Sequence, residues 1–156
     1  MSLAQRDYIL RIIEQLGQAL ARIAGKKREG KIEQALEELN QTEAMIFGPL
    51  LETLRAVDGT TAAALIGTTD KIRVLGLLTA ERADLERLSG RASKAQREGL
   101  RALELYAEAL CREATLGDAD RAAIAALRGW IDPIRIEDST RRALDAIVNT
   151  TNKSAG

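Results

Sequence analysis

The feature that most constrains this chain is a spacing. In "YILRIIEQLGQALARIAG", residues 8–25, apolar side chains at Ile9, Ile12, Ile13, Leu16, Leu20 and Ile23 recur three and four apart. That spacing lines one stripe of an α-helix, whereas a half-buried strand alternates every second residue. It predicts a long first helix over about residues 4–25. Leu10, Gly17, Ala21 and Ala24 make a second, small-residue face on which another backbone can come close.

The same period runs through the rest of the chain. "KIEQALEELNQTEAMIF" places Ile32, Ala35, Leu36, Leu39 and Ile46 on a second helical stripe. Gly48-Pro49 ends it, and the proline suits the first turn of a shorter helix, "PLLETLRAVD". "GTTAAALIG" and "GTTDKIRVLG" predict helices over about 61–66 and 70–88, each capped by a threonine that accepts a backbone N–H bond. Ser89-Gly90 interrupts the pattern. A further helix to about residue 115 carries Ala92, Ala95, Gly99, Ala102, Leu103, Tyr106 and Leu110. Gly117-Asp118 reads as a stop and a cap for a helix over about 119–130, and "IDPIRIED" as an extended connector. Asp138 or Ser139 then caps a last helix holding Ala143, Leu144, Ile147 and Val148, before a polar, frayed tail "TTNKSAG". Sustained strand alternation is missing throughout. The expected fold is all-α, a stack of about seven or eight helices in antiparallel hairpins, with one domain over residues 1–150 and a flexible tail at 151–156. A chain of 156 residues can bury roughly 70% of its unfolded surface, so such a core needs no staples.

"GKKREGKI", residues 25–32, resembles a phosphate-binding loop in spacing, with Gly25, Gly30 and Lys31 in place. Three requirements fail. The motif follows a strand, but an amphipathic helix precedes it here. A Ser or Thr must follow the lysine to hold Mg²⁺, but Ile32 stands there. The loop interior needs small residues, but it is Lys26, Lys27, Arg28 and Glu29. The eight residues read better as a turn between two helices, with the basic run favoured by the dipole at a helix C-terminus.

Composition narrows the chemistry further. The chain has no histidine, which removes the commonest general base and transition-metal ligand. Cys111 is the single cysteine, so no internal disulfide or thiolate cluster can form. With no basic side chain facing it, it reads as a buried or half-buried structural thiol. Glu33 with Glu37, and Glu104 with Glu108, share helix faces at i, i+4. Without a histidine partner they, with Glu38 and Glu43, read as solvated surface rather than a di-metal site. No catalytic residue, metal or cofactor is expected. Basic and acidic residues balance at 23 each, and aromatics are 3% of the chain, so neither a basic field nor stacking platforms for nucleic acid are expected. The start "MSLAQRDYIL" lacks the apolar core of a signal peptide, and no apolar run is long enough for a membrane span. One thiol fits a reducing cytoplasm.

A repeat grammar links distant segments. "EGKIEQALEEL" has a turn glycine at Gly30, an apolar residue at Ile32, a small residue at Ala35 and an apolar residue at Leu39. "SGRASKAQREGLRALELYAEAL" is a looser copy turning at Gly90 with Ala95 as its small residue, and "LGDADRAAIAALRGWIDP" a weaker third. This resembles the second half of a tetratricopeptide repeat, where a small residue lets paired helices pack closely. With "QRDYILRIIEQLGQALARI", these segments resemble a bacterial family of uncharacterised tetratricopeptide-like proteins, most strongly over residues 5–40 and 82–110. The resemblance implies a helical architecture and a bacterial origin, and supplies no catalytic residue. In tetratricopeptide arrays the first helices of the hairpins line a peptide-binding groove. The polar row Arg11, Gln15, Gln18 and Arg22, with Glu14 beside it, is therefore the expected partner-binding site. The functional expectation is a non-enzymatic, cytoplasmic interaction or scaffold module that binds a protein, a peptide or a second copy of itself. The alternative is a small-ligand binder or enzyme with a pocket between helices. Titrating ATP or GTP with Mg²⁺ should give no binding heat, and Lys31→Ala should change nothing. Micromolar binding lost on that substitution would reinstate the phosphate loop.

Overall fold

A computed structural model describes residues 2–154, with side chains described through residue 147. The fold is all-α. Eight helical segments follow one another among the described residues: α1 (Leu3–Arg28), α2 (Ile32–Phe47), α3 (Leu51–Ala56), α4 (Gly59–Ile66), α5 (Thr69–Leu88), α6 (Ala92–Cys111), α7 (Asp118–Trp130) and α8 (Asp138–Ser154). The chain divides into two compact units, Met1–Leu51 and Glu52–Gly156.

The first unit is the hairpin of α1 and α2. Ser2 opens α1 with a reciprocal cap: its Oγ accepts from the Gln5 N–H at 3.2 Å, and Gln5 Oε1 accepts from the Ser2 N–H at 3.1 Å. Lys26, Lys27 and Arg28 are helical and form the last turn of α1, where cations are favoured. The helix therefore runs three residues past the expected end, and the turn is only Glu29-Gly30-Lys31. Gly30 takes φ 75°, a left-handed conformation suited to glycine. The Lys31 N–H donates to the Lys26 carbonyl at 2.8 Å and the Gly30 N–H to the Lys27 carbonyl at 3.1 Å. This is a Schellman turn, and it satisfies carbonyls that a helix end otherwise leaves bare.

The second unit is organised on α6. Helix α5 runs antiparallel against it, α4 and α8 pack on it, and α7 packs on α5. The turn from α5 to α6 repeats the first hairpin's geometry. Gly90 has φ 79°, the Arg91 N–H donates to the Glu86 carbonyl at 3.0 Å, and the Gly90 N–H donates to the Arg87 carbonyl at 3.1 Å. In both hairpins the small residue five after the turn glycine is buried: Ala35 at 0% and Ala95 at 1% exposure. A third reversal ends α6 at Cys111 rather than near residue 115. Its left-handed residue is Glu113 (φ 62°), and the Ala114 N–H donates to the Ala109 carbonyl at 3.0 Å. A non-glycine in that position gives little signal in sequence.

Several caps differ from expectation. Helix α4 starts at Gly59, and its cap is Asp58, whose Oδ1 accepts from the Thr61 N–H at 2.7 Å. Thr68 sits at the cap position of α5 without a side-chain cap bond. The segment after Trp130 is not wholly extended, since Pro133–Arg135 form a 3-10 turn between buried Ile131 and Ile136. Helix α8 continues through Ser154. Ala155 and Gly156, and the side chain of Val148, lie outside the described residues.

The core of this unit joins Leu103 and Tyr106 of α6 to Ile124, Leu127, Ile131, Ile136 and Leu144. Gly99 makes room for it: a β-carbon there would collide with Ile131. One buried carboxylate ties three helices together. Asp120, 1% exposed, accepts from Tyr106 Oη at 2.9 Å, from Arg73 Nη1 at 2.8 Å and from the Gly117 N–H at 2.8 Å. Burial is the first cause that pushes the Tyr106 hydroxyl above its ordinary range, with the Asp120 charge adding to it. The phenol therefore stays a neutral donor. Phenylalanine at Ala35 or Ala95 should lower stability by about 1–3 kcal/mol each, because overpacking a close helix contact displaces backbone. Thermal or urea unfolding would measure this, with exposed Gln34→Phe as the tolerated control. An equally large loss at Gln34 would refute the shared register.

Candidate interaction site on the first helix

Helix α1 presents three faces. Ile12, Leu16, Ala19 and Ile23 are the buried stripe of the hairpin. By helical geometry, Leu3, Leu10, Ile13, Gly17 and Ala21 lie on a face roughly 130° round the axis, and all five are exposed. Leu10 is 57% and Ile13 42% exposed, so Ile13 does not belong to the inner stripe as its spacing suggested. Ala19 takes that place, and Leu20 is only half-buried. When apolar residues cover two adjoining arcs, a three-and-four pattern cannot say which arc faces inward. Ala19 was the available signal, three after Leu16 and four before Ile23.

The polar row Arg11, Gln15, Gln18 and Arg22 occupies the third face, and all four residues are exposed. They are not equivalent. Arg22 Nε donates to Glu38 Oε1 at 2.6 Å, and Lys26 Nζ donates to Glu38 Oε2 at 3.2 Å. The Arg22 hydrogen bond is the main cause holding the Glu38 carboxyl below its ordinary range, against the opposing effect of burial, with Lys26 assisting. Arg22 thus clamps α1 to α2. Arg11, Gln15 and Gln18 keep the character of a surface row.

The carboxylates expected to be solvated divide into several environments. Glu43 is buried at 2% exposure. Glu108 is half-buried and pairs with Arg112 one turn on, at 2.6 Å. Glu104 is half-buried on α6 and accepts from the Gly59 N–H at 3.0 Å, satisfying a bare donor at the start of α4. A β-carbon on Gly59 would lie 2.7 Å from the Glu104 β-carbon, so glycine is required for this approach. Glu86, not singled out by its sequence context, is 2% exposed and is held by Arg91 and by Lys94 Nζ at 3.3 Å. Burial works against its ionised form, but the two cationic hydrogen bonds prevail and its carboxyl lies below the usual range. Each of these groups has a structural partner. Among the described residues, no group of three or more potential metal ligands comes together.

Cys111 is exposed, contrary to the expected buried thiol, because α6 ends at it. It edges a cleft of about 240 Å³ lined also by Leu110, Ala143, Ala146 and Ile147. This space is smaller than ordinary ligand pockets, and its lining lacks convergent polar side chains. No helix among the described residues is long and apolar enough to cross a membrane. No family model, curated protein or solved structure matches this chain.

Glu104 makes a pH-dependent prediction. Burial raises its pKa above the ordinary 4.5, the Gly59 N–H opposes the rise, and the charges of Asp58 and Glu137 add to it. Between 4.5 and the raised value the folded state binds more protons than the unfolded, so this group's contribution to stability falls as pH rises. The stability of the wild type relative to Glu104→Gln, which keeps an acceptor for Gly59, should therefore decline as pH rises above 4.5. Urea unfolding across that window would show it, and a flat or rising difference would refute the assignment.

Proposed function

We propose that this chain is a non-enzymatic helical interaction or scaffold module, tetratricopeptide-like in its stacking, whose first helix receives a protein or peptide partner. The observation that carries this reading is the exposure of α1. Its apolar side chains Leu3, Leu10 and Ile13 face solvent on a helix whose third face is the exposed polar row Arg11, Gln15 and Gln18. Exposed apolar patches bordered by polar residues mark interaction surfaces. The same turn at Gly30 and Gly90, each followed by a buried alanine, supports the repeat reading. On this reading the chain is bacterial, as the resemblance to tetratricopeptide-like proteins implies, and its single thiol, Cys111, fits a reducing cytoplasm.

The test is quantitative capture of a partner from native cell extract by the wild type and by Arg11→Glu combined with Gln18→Glu. Arg22 is left intact because it holds Glu38. Capture should fall by about tenfold or more, since misplaced charge across an interface costs several kcal/mol. The melting temperature should hardly move, because exposed charges contribute little to folding. Arg142→Glu, on α8, is the control. Unchanged capture by the folded double variant would remove this row.

A further inference from the structure

We infer that the exposed apolar face of α1 is a self-association surface, and that it seats the same face of a second copy of this chain in antiparallel orientation. This rests on reading α1 as an interaction helix. It goes beyond that reading by naming the occupant and the direction of packing.

The face has a register. Leu3, Leu10, Gly17 and Ala24 are seven apart, and Arg6, Ile13 and Leu20 fall between them at three and four. This is the a/d seam of a coiled coil, separate from the Ile12, Leu16, Ala19, Ile23 stripe buried in the hairpin. Leu3, Leu10 and Ile13 are exposed large apolar residues at one end of it. At its centre stands Gly17. A glycine inside a helix is destabilising relative to alanine, and among the described residues nothing requires it, since a β-carbon there would meet no atom within 4 Å. A glycine at the middle of an apolar seam is accounted for by the close approach of another helix.

Charge sets the direction. Along the solvent edge of the seam, Asp7, Glu14, Ala21 and Arg28 follow at the same seven-residue interval, acidic toward the start of α1 and basic at its end. In an antiparallel pair centred near Gly17 and Gln18, Asp7 lies opposite Arg28 of the second copy, and Glu14 lies opposite the uncharged Ala21. Arg6, the one charged residue in the seam, comes to the other copy's Glu29, an exposed carboxylate that also pairs with its own Lys31 at 3.0 Å. The two helix dipoles also oppose. A parallel pair in register instead sets Arg6 against Arg6 across the axis and leaves Asp7 far from any Arg28. Opposed charges at such edges fix partner orientation in coiled coils. The seam from Leu3 to Ala24 is about 32 Å long at the helical rise.

Sedimentation or light scattering of the full chain over a wide concentration range tests this directly. The wild type should move from 17.0 kDa to twice that mass as concentration rises. Leu10→Glu should weaken the dimer by about tenfold or more, because it buries a charge in an apolar seam. Gly17→Leu should do the same while the isolated fold remains intact, as judged by circular dichroism. Asp7→Arg should weaken the dimer, and Asp7→Arg with Arg28→Asp should restore it, a rescue available only to the antiparallel arrangement. A wild type monomeric at every concentration overturns the proposal, as does a dimer indifferent to Leu10→Glu and Gly17→Leu. Dimerisation without charge-swap rescue overturns the antiparallel assignment. A monomer that still loses partner capture on changing Arg11 and Gln18 leaves the interaction reading standing and removes only the second copy.

Discussion

The second unit depends on how closely other helices can approach α6. A helix with neighbours on several sides cannot carry bulky residues on all of them, because interaxial distance follows side-chain size. Ala95, Gly99 and Ala102 on α6 are all buried. At Gly99 the displaced volume is refilled by Ile131 and Leu127, and at Gly59 the missing side chain lets α4 rest against Glu104. The large residues Leu103 and Tyr106 then fill what remains. Small residues set the spacing, and large ones fill the core, to the close packing expected of protein interiors.

Polar groups inside this unit define which arrangement of helices is reached. Asp120 accepts from α5, from α6 and from the start of its own helix. A slip of α7 by one residue would leave a buried carboxylate without its donors, a penalty much larger than the net value of the bonds themselves. Glu86 plays a comparable part at the α5–α6 turn. Its carbonyl accepts the reversal bond from the Arg91 N–H while its carboxylate holds the Arg91 side chain. Backbone and side chain therefore fix one turn from the same residue.

Much of this architecture could be read from the amino-acid order, and the parts that could not share a cause. Helix positions followed from apolar period, and both hairpin turns from a glycine ahead of an alanine, because those signals are local. The end of α6 was missed because Glu113 adopts a left-handed turn without glycine. The cap of α4 was assigned to threonine, while Asp58, one residue before Gly59, does the work. The environments of Glu43, Glu86 and Glu104 were hidden for a different reason. Burial of a carboxylate depends on donors brought from elsewhere: Gly59 lies 45 residues from Glu104 along the chain. Of the polar row on α1, the shared exposure of Arg11, Gln15 and Gln18 followed from helical spacing. The diversion of Arg22 to Glu38 required knowing how α2 lies against α1.

The three-faced character of α1 follows from the same arithmetic of surfaces. A hairpin of two helices has a single internal interface, and small units bury a lesser share of their chain than large ones. One stripe of α1 satisfies that interface: Ile12, Leu16, Ala19 and Ile23. Leu10 and Ile13 are then apolar surplus on a helix that could have carried polar residues there without disturbing the hairpin. Gly17 is a second surplus, since the helix would be steadier with alanine and the hairpin has room for it. Isolated exposed apolar residues need no explanation. Two kinds of unfavourable choice on one face, in heptad register with a glycine at the centre and a charge gradient along the edge, are costs to the free helix that a closely approaching second helix would offset.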